Sequence, residues 1–175
     1  TAALEARTFD LGFLSGSVEL LRVVAGKLSM KADVTGTLGA PKFIGDAKLE
    51  NGRLALAGYG DYRDLQLDLH VTNELVDLKK LEAVSGAGNA SLVARGEKLP
   101  TGTWRVTSEG QTKKFPIVTD DQLMAIASLK YSLRGNVSSA FADITELALP
   151  DVTVELPEVK RKDLQDLQRP KDIVV

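Results

Sequence analysis

Residues 27–57 alternate apolar and polar side chains with a period of two, and this pattern constrains the fold more than any other feature of the chain. Before a break at 36–41, Leu28, Met30 and Val34 fall on one side and their polar neighbours on the other. A period of two is typical of a β-strand with one buried face and one wet face. The stretch therefore predicts a sheet with one apolar face, and the question of function becomes what covers that face.

The dipeptide Asn51-Gly52 lies inside this stretch and predicts a two-residue hairpin turn, because both turn residues must adopt positive φ. Such a turn pairs Leu49 with Leu54, and the apolar residues of both strands then share one face. Turn chemistry and hydrophobic pattern thus indicate the same register.

The alternation returns in 62–71 and again in 123–133, so strands account for most of the remaining chain. Between them, Lys79 and Lys80 interrupt an alternating run, which predicts a β-bulge at that point. A different pattern at 17–25 favours a short helix, because its apolar residues recur at helical spacing.

These elements predict a mainly β fold. We expect one elongated, curved sheet, antiparallel or mixed, with one apolar face. Residues 1–157 are expected to form a single elongated β domain, and 158–175 a charged, extended tail. Because the strand pattern runs on at both ends, the chain is interpreted as a piece of a larger protein.

Composition excludes several kinds of site. The chain has no cysteine and a single histidine, His70, which leaves no disulfide framework and no histidine-rich metal site. The net charge is −2 with both signs interspersed, so the basic patch that nucleic acid requires is missing. No run approaches the roughly 20 apolar residues of a membrane span, and no signal peptide pattern is present.

No motif indicates catalysis or a bound cofactor. Asp61, Asp64 and Asp68 lack the spacing of a calcium loop. A hydrolase on a β scaffold would need two carboxylates that converge in a cleft, whereas the acidic residues here alternate with apolar ones and are expected to point outward. We therefore expect a protein that is not an enzyme and that uses no cofactor and no metal.

A series of short motifs recurs in an order known from one family. They are Val34-Thr35-Gly36-Thr37-Leu38 with Pro41, then Gly45, Leu49 and Gly52, then Tyr62 with Asp64, and finally Ser85-Gly86-Ala87-Gly88. In this order and spacing the chain resembles the C-terminal domain of the translocation and assembly module subunit TamB, which belongs to the AsmA-like proteins. The resemblance covers most of the chain.

The resemblance implies a long sheet folded lengthwise like a taco shell, with an apolar interior. It implies a periplasmic domain, anchored to the inner membrane by a segment outside this chain, with a TamA-like partner of the Omp85 barrel class in the outer membrane. Two roles follow from it: carrying phospholipid between the two membranes, and assisting the assembly of outer-membrane β-barrel proteins.

The apolar residues of the alternating strands are the candidate site. They either line a groove for acyl chains or client β-strands, or form the dry core of a closed sandwich. The groove residues are Leu28, Met30, Val34, Leu49, Leu54, Leu56, Leu65, Leu67, Leu69, Val71, Leu92, Leu129, Tyr131 and Leu133. Composition alone favours the closed sandwich. Long strands, few core-filling aromatic residues and a strand pattern that runs on at both ends point toward the groove, and with the resemblance added the groove is the favoured interpretation. The alternative is a structural or adhesive β-sandwich or repeat domain.

Overall fold

The computed structural model describes residues 2–15, 19–37 and 39–157. They form nine antiparallel strands in one sheet, and the strands follow each other in the sheet in the same order as in the chain. The strands are β1 (Ala2–Asp10), β2 (Leu21–Thr37), β3 (Ala40–Leu56), β4 (Gly60–Thr72), β5 (Leu75–Ser85), β6 (Gly88–Lys98), β7 (Trp104–Thr119), β8 (Gln122–Val137) and β9 (Ala142–Glu155). A single turn of 3₁₀ helix, Leu11–Leu14, connects β1 to β2. The prediction of a mainly β, curved sheet is confirmed, and every described pairing is antiparallel.

The short helix expected at 17–25 is wrong over the part of it that the structure describes. Strand β2 begins at Leu21, and Val24 pairs with Leu54 of β3. Pairing across the sheet has overridden the helical spacing, because tertiary context outweighs local propensity. Residues 17 and 18 lie outside the described residues.

The hairpin turn expected at Asn51-Gly52 is also wrong. Strand β3 runs through both residues without reversing, and Asn51 adopts a φ of 50° where the pairing with β4 shifts between Leu49 and Gly52. A bulge uses positive φ just as a turn does. The chain reverses instead after Leu56, where Gly58 adopts a φ of 80°.

Bulges recur on several strands, and the one expected at Lys79-Lys80 is confirmed by a register shift between Leu78 and Leu81. Asp64 in β4 and Lys114 in β7 also adopt positive φ where the pairing of their strands shifts. Each bulge bends its strand and increases the local twist. Because the bulges at Asp64 and Lys114 lie near the start of β4 and the end of β7, we infer that the sheet curves most strongly at that end.

At that end the hairpin of β5 and β6 stops at Gly86, and β4 and β7 meet beyond its tip. The rings of Tyr62 and Phe115 stack with centroids 6.0 Å apart and planes at 17°. Farther along, Arg22 Nη2 lies 3.0 Å from Asp121 Oδ2. We call this end, with the turns at 57–59, 86–87 and 120–121, the closed end, and the opposite end the open end.

Burial follows this geometry. The buried apolar residues are Val24, Ala125 and Ala127, which are 9%, 8% and 5% exposed. Val24 pairs with Leu54, which pairs with Tyr62, and Ala127 pairs with Phe115. The small core therefore lies at the closed end, and no second layer covers the rest of the sheet among the described residues. The tail expected at 158–175 lies outside them.

Candidate functional site: an apolar face on a single-layer sheet

One continuous row of apolar side chains crosses the middle of the sheet. Directly paired residues of antiparallel strands share a face, and the pairing joins Leu28, Leu49, Leu67, Leu81, Leu92, Gly110 and Tyr131 on seven successive strands. We call this set the central row. Neighbouring strands lie about 4.8 Å apart, so the row extends for roughly 29 Å.

The rows on either side of the central row are apolar as well. Toward the open end, Met30, Ala47, Leu69 and Leu78 pair in succession. Toward the closed end, Leu129 pairs with Val152 of β9. The face as a whole contains all the predicted groove residues: Leu28, Met30, Val34, Leu49, Leu54, Leu56, Leu65, Leu67, Leu69, Val71, Leu92, Leu129, Tyr131 and Leu133.

The predicted residues share one face of the sheet but differ in solvent exposure. Leu54 and Leu56 lie in the closed end, beside Val24 and Leu21. Toward the open end, Val34 is 38% exposed and its paired residue Phe43 37%. Ile144 of β9, on the same face, is 61% exposed. The apolar face is thus sealed at one end and solvent-accessible at the other.

Two glycines let large side chains lie flat on this face. A Cβ atom on Gly110 would collide with the ring of Tyr131, and one on Gly52 would lie 2.7 Å from Leu65 Cβ and 2.9 Å from Leu49 Cδ2. Tyr131 keeps its hydroxyl oxygen 3.1 Å from Ser108 Oγ. The tyrosine therefore covers the gap above Gly110 and still satisfies its polar group, as a half-buried tyrosine needs.

The opposite face is polar and is crossed by opposite charges on neighbouring strands. Lys48 Nζ lies 3.2 Å from Asp68 Oδ2, and Arg134 Nη1 lies 3.3 Å from Glu146 Oε2. These pairs are solvent-exposed and contribute little each. Their positions mark the solvated face of the strands that carry them.

Two carboxylates on this sheet have lowered pKa values. A hydrogen bond from Arg53 lowers the pKa of Asp61 from its ordinary value and the neighbouring positive charge adds to the effect, while partial burial opposes it. In the same way a hydrogen bond to His70 lowers the pKa of Asp46, with His70 Nδ1 2.8 Å from Asp46 Oδ1. Both carboxylates lie on the solvated side of the sheet, away from the apolar face.

A depression of about 610 Å³ lies over strands β5–β8. Its lining includes Glu82, Gln111 and Lys130, which the pairing joins to the polar face through Ser91. The lining also includes Leu81, Leu92, Gly110 and Tyr131 of the central row. The wall of the depression therefore combines polar residues of these strands with members of the central row.

Sequence reasoning missed several members of the apolar face. Leu81 belongs to the central row. It was missed because the bulge at Lys79-Lys80 shifts the apolar–polar alternation by one residue just before it. Tyr62 and Phe115 were missed because the two strands that carry them are separated by two others in the sheet. Their stacking depends on the curvature of the sheet at the closed end, which no local sequence pattern indicates.

Within the described ranges, no helix is long and apolar enough to cross a membrane. The same residues contain no cluster of three or more histidine, aspartate or glutamate side chains that could hold a metal ion. Compared with family models, curated proteins and solved structures, the chain has no match in any of the three.

Proposed function

We propose that this chain is a non-enzymatic, periplasmic, TamB-like domain that carries phospholipid between the inner and outer membranes. Its apolar face holds the acyl chains. The observation that supports this most directly is the central row, a continuous apolar band across seven strands of a sheet that has no second layer among the described residues.

The chemistry of the face suits acyl chains. A hydrocarbon tail needs no directional partners, so a lining of leucine, valine and alanine is sufficient. Each leucine of the row left in water forfeits about 1.5–3 kcal/mol of burial free energy, which favours an occupant. One leaflet of a bilayer is about 15 Å of hydrocarbon, half of the roughly 30 Å core, and the central row is longer than that.

The two ends of the sheet give the groove a direction. The closed end is sealed by the stack of Tyr62 on Phe115, so a tail is admitted from the open end or from the side between β1 and β9. A headgroup would stay in water beyond the rim, where Val34 and Phe43 are already part-exposed.

A second candidate function is chaperoning of outer-membrane β-barrel proteins with a TamA-like partner of the Omp85 class. The specific observation in its favour is β9, which among the described residues is an edge strand with exposed apolar residues, features that suit the addition of an extended strand. A structural or adhesive repeat domain remains the alternative, and it requires that something outside the described residues close the apolar face.

The experiment places a photo-crosslinking amino acid at Leu92 in cells with both membranes. Its matched control is Val93, the next residue of β6, which faces the polar side and is 45% exposed. Phospholipid adducts at Leu92 and none at Val93 are expected. Adducts to the chain itself alone, or equal lipid adducts at both positions, would overturn the proposal.

A charge at Leu67 provides the second arm. Leu67→Arg should abolish lipid adducts at Leu92, since an unpaired charge in apolar surroundings costs several kcal/mol. The domain should remain folded because this face is open. If Leu67→Arg unfolds the domain, the face is a closed core and lipid carriage is wrong.

A further inference from the structure

Within the part of the chain that the structure describes, strand β9 forms one edge of the sheet, and its exposed side has the composition of a docking site. The strand spans 14 residues and carries four acidic residues and no basic one: Asp143, Glu146, Asp151 and Glu155. On the apolar face Leu147 is 54% and Val154 53% exposed. An edge strand presents unpaired backbone donors and acceptors, so β9 offers backbone, charge and apolar surface together.

The rows that cross the polar face end on these acids. One row joins Lys31, Asp46, His70, Asp77, Arg95, Thr107, Arg134 and Glu146 through successive pairs. A second row brings Lys130 next to Asp151. Along these rows a base repeatedly faces an acid on the neighbouring strand, and opposite-charge pairs stabilise a sheet while like charges oppose it.

We propose that β9 accepts, by β-augmentation, an extended strand of a partner protein in which Lys or Arg alternates with apolar residues. Extending the rows by one strand sets a base opposite Glu146 and opposite Asp151, and an apolar residue opposite Leu147 and Val152. This inference deepens the client-strand part of the proposed function, because it gives the client a place and a charge pattern, and it does not depend on lipid carriage.

A second copy of this chain does not fit the same edge. Because β9 has no basic residue, a second β9 supplies no base opposite these acids in any register, and the register that pairs Glu146 with Asp151 sets acid opposite acid, which is destabilising. The other edge strand, β1, contains two acids and one base in its sequence, so it does not supply the bases that Glu146 and Asp151 need. The charge pattern therefore selects a partner of different sequence.

Pro150 divides the edge into two parts. It lies where the pairing with β8 skips from Ala148 to Asp151, and proline has no backbone N–H to donate. Proline and bulges oppose pairing with an arbitrary strand. Selection then rests on the charges of Glu146 and Asp151 and on the apolar residues beside them.

The test uses the full chain and three fluorescent nine-residue peptides. In the first, valine alternates with lysine. In the second, glutamate replaces each lysine. In the third, the composition of the first is kept and the lysines are grouped in one block. The first peptide should bind at least tenfold more tightly than either of the others at physiological salt.

Matched charge reversals locate the site. Glu146→Lys with Asp151→Lys should weaken the valine–lysine peptide at least tenfold and strengthen the valine–glutamate peptide. The control, Glu82→Lys with Glu109→Lys, changes net charge equally on interior strands and should leave both affinities within about twofold. Equal losses in the two variants would show attraction by net charge alone and overturn the proposal.

The occupant is identified by chemistry at one introduced thiol. The chain has no cysteine, so Thr153→Cys on the polar side of β9 gives a unique reporter, with Thr107→Cys on β7 as the control. A cysteine-bearing valine–lysine peptide should form a disulfide with the first and not with the second. Disulfide dimers of the protein, photo-crosslinks from β9 to residues 158–175 of the same chain, or peptide adducts only at Leu92 would each overturn it.

Lipid adducts at Leu92 are measured in the same charge-reversed variant. If they persist while the peptide is lost, strand docking and lipid carriage are separate activities of one sheet. If the peptide fails to bind the unmodified chain while lipid adducts form, the strand proposal falls and lipid carriage stands.

Discussion

Tyr62 and Phe115 belong to strands separated by two others, yet their rings stack with centroids 6.0 Å apart. Four strands of a flat sheet would hold them about 14 Å apart, at about 4.8 Å per strand. The contact exists because the β5–β6 hairpin ends at Gly86 and lets β4 and β7 converge. It connects the row containing Val24 to the row containing Ala127, so the buried residues depend on it.

Removing either ring should therefore cost more than its own burial. We expect Tyr62→Ala and Phe115→Ala to show a coupling of about 0.5–1.5 kcal/mol in a double-mutant cycle, measured by urea unfolding. A matched cycle on Tyr62 and Trp104, a residue near the open end, should show no coupling. Additive effects of Tyr62→Ala and Phe115→Ala would contradict a stabilising stack.

The pair of Arg22 with Asp121 ties the two sides of the closed end together. Asp121 Oδ1 also accepts a hydrogen bond from the Gly58 N–H, and Asp121 N–H donates to the Gly58 carbonyl oxygen. Because both side chains are about half exposed, Asp121→Ala should lower the free energy of unfolding by at most about 1 kcal/mol. Spin labels at Tyr59→Cys and Asp120→Cys should nevertheless move apart.

The control for the Arg22–Asp121 pair is Glu146→Ala, which breaks another solvent-exposed ion pair, between the adjacent strands β8 and β9. It should leave the distance between the labels at 59 and 120 unchanged. If both substitutions change that distance equally, the Arg22–Asp121 pair does not maintain the curvature of the sheet at the closed end.

Gly88 is a position where even a methyl group has no room. A Cβ atom there would collide with the Lys114 carbonyl and lie 2.6 Å from Phe115 Cα. Overpacking against backbone costs about 1–3 kcal/mol, so Gly88→Ala should lower the urea midpoint strongly. Gly39→Ala, where no atom lies within 4 Å, is the control and should be nearly neutral.

The ion pair of Arg53 and Asp61 predicts a specific pH dependence. Because its hydrogen bond lowers the pKa of Asp61 in the folded state, its stabilisation is present above the unfolded value of about 3.9 and is lost as pH falls through the lower folded value. Asp61→Asn should reduce the loss of stability below about pH 4, by less than 1 kcal/mol because the pair is exposed.

The measurement is the urea midpoint as a function of pH, with Glu109→Gln as the control for losing one negative charge. An unchanged slope below pH 4 in Asp61→Asn, relative to the unmodified chain, would mean that this pair does not contribute.

Local alternation predicted the apolar face and those strands whose apolar and polar residues alternate without interruption. The residues from Leu65 to Val71 alternate without a break, so each predicted groove residue there lies on the expected side. Thr119 and Gln122 have the spacing of a helix-capping box, yet no helix starts there and β8 begins at Gln122. Periodicity works here because every strand has one wet face.

Features that depend on the bend could not be read from the sequence in the same way. Asn51-Gly52 has the same chemistry in a bulge as in a turn, and only the pairing partner distinguishes them. The middle of β7 around Glu109 and Gln111 has no apolar alternation, yet it is a strand because β6 and β8 supply ladders on both sides. The closed end required contacts between residues far apart in the chain.

The order of the strands has a mechanical consequence. Each of the nine described strands forms its ladder hydrogen bonds only with the strands before and after it in the chain, so a pulling force applied at the two edges of the sheet loads one ladder at a time and peels the strands off in sequence. Such a sheet should yield at low force in a series of small extensions, except where contacts other than the ladders must break. The Arg22–Asp121 pair should resist when β2 peels away, and the ring stack should resist when β4 or β7 does.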